Sequence, residues 1–159
     1  MSILVMAHPA LKPRTEASRK ISLLFAGVLV VMVVAQLFTF EDFLKTIEMM
    51  NLPFGMALSF ALGPLIVVSE VFALPFLLRM QLSIAFRYLS MFLSWLAVAV
   101  WLCITVWLAV SYVPVETVGF LGSVVNLAPG WWSVCISIAL VILATWSSWG
   151  LWPQNSTKK

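Results

Sequence analysis

Four long apolar blocks, over 21–40, 54–78, 88–112 and 131–152, constrain this chain more than any other feature. Each is about 20 residues or more, enough for a helix to cross a hydrocarbon core of roughly 30 Å at about 1.5 Å per residue. Isolated polar residues inside them do not argue against spanning, because a helix satisfies its own backbone and Ser or Thr can bond back to the preceding turn. Charged residues make up only 9% of the chain and hydrophobic ones 63%, whereas a soluble domain carries roughly 25% charged residues. The expected fold class is therefore an all-α membrane protein, with four transmembrane helices in an up-down bundle and the lipid bilayer as its first partner. Nucleic acid is excluded as a partner, since no basic stripe or aromatic platform accompanies the net charge of +3.

The basic residues set an orientation. Lys12, Arg14, Arg19 and Lys20 precede the first span, Arg79 and Arg87 flank the turn between the second and third, and Lys158 and Lys159 close the chain. In an up-down arrangement all of these share one side, which leaves Lys45 opposite, beside Glu41, Asp42 and Glu48. The positive-inside rule then makes both termini cytoplasmic, and a multi-pass place in a bacterial inner (plasma) membrane is the expected localisation. Trp131 and Trp132 at one end of the last span, with Trp149 and Trp152 at the other, form the expected aromatic belts. A cleaved signal peptide is disfavoured, because the first apolar block exceeds a signal core of roughly 7 to 15 residues.

The domain reading is a cytoplasmic N-terminal arm over 1–20, a four-helix domain over 21–152 and a cytoplasmic tail over 153–159. The arm carries a basic cluster able to settle on anionic headgroups, or to act only as a topology signal. Between the first two spans, Phe43, Leu44, Ile47 and Met50 recur at helical spacing, which predicts a short interfacial helix on the outer side. Pro64 and Pro75 predict kinks in the second span. The 113–130 segment is an outer loop, unusually apolar, and is expected to lie in the interface or dip over the bundle.

Most chemistry-bearing motifs are missing. Cys103 and Cys135 form no CxxC pair, His8 is the sole histidine, and there is no phosphate loop, nucleophile elbow or HExxH pair. No metal site and no catalytic residue are expected.

Glu70 is the exception, a carboxyl inside a membrane span, which costs several kcal/mol unless it is protonated, hydrated or paired. Depth arithmetic at about 1.5 Å per residue sets it level with Ser94 in the third span and Thr145 in the fourth, its candidate hydrogen-bond partners. Arg87, snorkelling from the base of the third span, is the candidate cation. The same arithmetic puts Gln36 roughly 15 Å away in depth and so rules it out as a partner. Two roles stay open for Glu70: a protonated interhelical tie, or a proton, quinone or substrate site.

With the spans and Glu70 placed, the chain resembles the MauE and DoxX type of small four-helix membrane protein, over roughly Ser22 to Trp149. The resemblance is carried by Ala35-Gln36-Leu37-Phe38 with Phe43, by Gly63-Pro64 with Ser69-Glu70, by Arg79, and by Gly119-Phe120-Leu121-Gly122-Ser123. It implies an accessory protein, not an enzyme, that assists maturation, assembly or transport of an exported or membrane redox partner. Gly119, Phe120, Leu121, Gly122 and Ser123 would then be the outer-loop contact surface. Gln36 stands where family members often carry a lysine, and the loop lacks the two cysteines of many MauE-like chains, so thiol chemistry is not carried over. No cofactor is required. A quinone near Glu70 is the alternative that the DoxX side of the resemblance implies, and a small proton-coupled transporter is a third reading.

Overall fold

The computed structural model describes residues 14–53, 56–111 and 113–151, all helix, turn and loop with no strand. The N-terminal arm up to residue 13, with His8 and Lys12, and the tail from residue 152 lie outside the described residues. Five helices follow in order: α1 (Glu16–Phe38), α2 (Phe40–Met49), α3 (Met56–Leu77), α4 (Ile84–Ser111) and α5 (Trp131–Gly150). Four of them, all but α2, are long and apolar enough to cross a membrane.

Those four form a closed ring in which α1 packs on α3, α3 on α4, α4 on α5 and α5 back on α1. Neighbours run antiparallel. At one end, called here the terminal end, the Arg14 amide donates to the Gly150 carbonyl at 3.1 Å, bringing the start of α1 beside the end of α5. The Arg14 guanidinium lies over the Trp149 ring, 4.9 Å from its centroid. At the other end, the loop end, sit α2 and the 113–130 segment.

α1 begins earlier than its apolar block, and a capping box explains the extra turn. Ser18 N donates to Thr15 Oγ1 at 3.1 Å while Thr15 N donates to Ser18 Oγ at 3.2 Å. Ser18 also packs directly against Gly150, where a Cβ would collide with it, so a glycine lets α5 approach the start of α1 closely.

The ring is apolar both inside and outside. Phe25, Leu29, Ile66, Phe76, Val98, Trp101, Ile104 and Leu140 fill the core, whereas Leu24, Val31, Val34, Val110 and Ile142 face outward. An outward apolar surface fits lipid, not water. Small hydroxyl residues line the α4–α5 seam, where Thr105 Oγ1 donates to Ser137 Oγ at 2.9 Å and Trp95 Nε1 to Ser148 Oγ at 3.0 Å.

α3 contains Pro64 and Pro75 yet stays helical. Near Pro75 the Ser90 hydroxyl of α4 accepts from Phe76 N at 3.2 Å and donates to the Phe72 carbonyl. A side chain from the next helix thus joins the backbone groups that a proline disturbs.

α2 confirms the short helix expected before α3, with Phe43, Ile47 and Met50 fully buried and Glu41, Asp42, Lys45 and Glu48 outward. It packs on α3, its Leu44 lying where a Cβ on Gly63 would sit. The Lys45 ammonium donates to Asp42 at 2.9 Å, and that bond holds its pKa above the ordinary lysine value.

Candidate functional site

Glu70 is fully buried, the only ionisable side chain among the described buried residues. Its neighbours are not those expected from depth. Trp101 Nε1 of α4 donates to Glu70 Oε1 at 2.7 Å, and Gln36 Nε2 of α1 approaches the same oxygen at 3.5 Å. Gln36 Nε2 also donates to the Phe120 carbonyl of the 113–130 loop at 3.1 Å.

Antiparallel geometry brings these side chains toward one another. Side chains on a helix lean toward its N-terminus, so on α1 and α4 they lean toward the terminal end and on α3 toward the loop end. Gln36 and Trp101 reach down while Glu70 reaches up. The exclusion of Gln36 as a partner is therefore corrected: the arithmetic assumed upright helices with level ends at the apolar-block boundaries, and it left out the reach of two side chains pointing at each other.

The other expected partners stand elsewhere. Ser94 is buried on α4, two turns before Trp101, and its hydroxyl has no hydrogen-bond partner. Thr145 is exposed on the outer face of α5, where its hydroxyl donates to Val141 O at 2.7 Å beside Ile142, Trp146 and Trp149. Arg87 lies in the first turn of α4, fourteen residues before Trp101, or about 21 Å along the helix. The groups that bond Glu70 are neutral.

The loop forms a lid over this site. Gly119, Phe120 and Gly122 are buried, and the Phe120 ring lies 4.7 Å, centroid to centroid, from Trp101, with the Phe43 ring 6.4 Å from Trp101. The stretch expected as an outer contact surface is thus mostly an inward plug, and Val124, Val125 and Asn126, just after it, are exposed, as are Pro114, Glu116 and Ala128 of the same loop. Apolar character was a sign of burial under α1, α2 and α4 instead of display.

Several bonds hold the plug. Val118 N donates to Leu127 O at 2.8 Å, closing the loop on itself, and Thr117 Oγ1 accepts from Gly119 N at 3.2 Å and Leu127 N at 3.3 Å. Ser123 N donates to Thr39 Oγ1 at 3.0 Å, and Thr39 Oγ1 in turn donates to Ala35 O at 3.1 Å. Gly122 has φ +56°, and a Cβ there would strike Thr39 Oγ1 and stand 2.9 Å from Ala35 O. Only glycine allows both that backbone and that approach.

Trp101 and Gln36 are the residues that sequence reasoning missed. A usable signal existed for Gln36: a buried amide and a buried acid in neighbouring spans each need a partner, and pairing them satisfies both. Trp101 gave no such signal, being one of 8 tryptophans.

No family model, characterised protein or solved structure matches the chain. Fold and site define a class: a small helical protein with four membrane-spanning-type helices, whose buried carboxyl is tied through neutral partners to a loop that caps the bundle.

Proposed function

We propose that this is an integral membrane accessory protein of the MauE and DoxX type, which presents the loop end to an exported or membrane redox partner and performs no chemistry itself. One observation carries the reading. The loop is locked onto the bundle through Phe120, Gly122 and Ser123, so Val124, Val125 and Asn126 stand exposed at a fixed place at the loop end, with Val124 beside Val34 and Phe38 of α1. A preorganised exposed tip at the same end as the outward acids Glu41, Asp42 and Glu48 is a recognition surface whose ordering cost is met before binding.

Charge supports the same arrangement. Arg14, Arg19, Lys20, Arg79 and Arg87 gather at the terminal end, and Lys45 is the described basic residue at the loop end. This distribution favours cytoplasmic termini and an outer loop end in an inner membrane. The test is a photo-crosslinker at Val124, compared with one at the outward Leu24 of α1, in native membranes. The expected result is a specific redox protein captured from Val124 and only lipid from Leu24. Lipid alone at both positions, with normal levels of exported redox proteins in cells lacking this chain, would overturn it.

A quinone site is the second reading, favoured by a separate observation. Glu70 Oε2 and Gln36 Oε1 are buried without hydrogen-bond partners, beside the rings of Trp101 and Phe120. Aromatic walls around a polar group suit a quinone headgroup. Equal quinone binding by the wild-type and Glu70→Gln proteins would remove the carboxyl from that role.

A further inference from the structure

We infer that Glu70, Gln36, Trp101 and the Phe120 carbonyl form a proton-binding site whose occupancy decides whether the 113–130 loop stays seated. The inference begins with the balance of donors and acceptors. Gln36 must turn its amide nitrogen to the Phe120 carbonyl, because the opposite orientation would set two acceptors face to face. Its Oε1 is then left without a donor. Trp101 and Gln36 both direct N–H groups at Glu70 Oε1, and Glu70 Oε2 is also left without one. The cluster lacks hydrogen on the acceptor side, and a proton on Oε2 supplies it.

No cation can substitute. Around Glu70, α1 contributes Gln36, α4 Trp101 and the loop Phe120, all uncharged. The ionisable groups of the packed elements point outward or sit at the far end: Glu41, Asp42, Lys45 and Glu48 on α2, Glu116 in the loop, and Glu16, Arg19, Lys20, Arg79 and Arg87 toward the terminal end. α4 also carries Tyr88 and Cys103, and on α5 the described residues carry Cys135; all three are exposed. An anionic Glu70 would be an unpaired buried charge, whereas the neutral acid fits an apolar core.

Loop seating is thereby linked to the proton. Phe120 closes the site, so lifting the loop breaks its bond to Gln36 and lets water reach Glu70. The seated state holds the proton and the lifted state releases it readily. Rising pH therefore favours lifting, and acid favours seating. This adds a control to the face proposed above. Its test reads the loop and not the partner, so either reading can fail while the other stands.

The experiment places spin labels at Asn126→Cys and Glu48→Cys, with Cys103→Ser and Cys135→Ser, in the full chain in lipid nanodiscs. Distances are measured from about pH 5 to about pH 9, a range extending well above the ordinary carboxyl transition. The expected result is one narrow distance in acid that shifts to a longer, broader distribution in alkali. Glu70→Gln, neutral at every pH, is expected to remove the shift. An unchanged distance in the Glu70 protein across the range, or the same shift in Glu70→Gln, would overturn the proposal. Infrared spectroscopy of the Glu70 protein serves if the variant does not fold. A carboxylic-acid band lost in step with the loop shift supports the proposal, and a shift without loss of that band overturns it.

Discussion

Trp101 holds the carboxyl with its N–H and the lid with its ring, and these contributions can be separated. Trp101→Phe keeps an aromatic face against Phe120 and removes the donor to Glu70 Oε1, leaving only the 3.5 Å approach from Gln36. Hydrogen bonds between membrane helices are worth about 0.6 kcal/mol on average, with the loss larger where a buried acceptor is left unpaired. A destabilisation of about 1–2 kcal/mol is expected, measured by reversible unfolding in mixed micelles; no change would mean that the bond carries no load. Gly122 tests the lid from the opposite side. Gly122→Ala forces a Cβ into Thr39 at a positive φ, and strain of roughly 1–3 kcal/mol is expected there. Since Glu70 is untouched, the readout is local: faster hydrogen exchange at the Gly122 and Ser123 amides, with α1 and α3 core amides unchanged.

The helices were legible in the sequence because crossing lipid demands length and apolarity, and both can be counted. α3 and α5 fall within about two residues of their apolar blocks. α1 and α4 begin earlier, since a helix follows backbone capping and not hydropathy: the Thr15–Ser18 box starts α1, and Ser83 Oγ receives Phe86 N at 3.3 Å at the start of α4. Pro64 and Pro75 were also visible, but not the hydroxyl that bridges the second. Ser90 and Ser94 make a paired test on one helix. Ser90→Ala removes the bridge between Phe72 O and Phe76 N and is expected to cost about 1–2 kcal/mol. Ser94→Ala removes a hydroxyl with no partner and is expected to be neutral or slightly stabilising. Equal effects would mean that the α3 backbone around Pro75 needs no help from α4. The site itself was illegible for a related reason: partners across antiparallel helices depend on where side chains lean, and the loop's apolar residues look alike whether they face lipid, a partner or the core.

At the scale of the molecule, the outward apolar surface changes what a core substitution can cost. In water, a buried leucine gains from transfer and from packing; in a bilayer the transfer part nearly vanishes, because lipid tails are as apolar as the core. What remains is the dispersion attraction forfeited around the cavity, so costs should fall toward the low end of the usual range for leucine truncation. Leu29 and Leu24 isolate this on one helix with one residue type, as Leu29 is 0% exposed in the ring and Leu24 is 59% exposed on its outer face. Leu29→Ala is expected to destabilise the bundle by about 2 kcal/mol, and Leu24→Ala by less than about 0.5 kcal/mol, in unfolding measured within bicelles. The contrast depends on the ring arrangement, in which α1 turns one face to α3 and α5 and the other to lipid. If both variants lost stability equally, the outer face of α1 would be covered by another chain, and the bundle would be one protomer of a larger assembly.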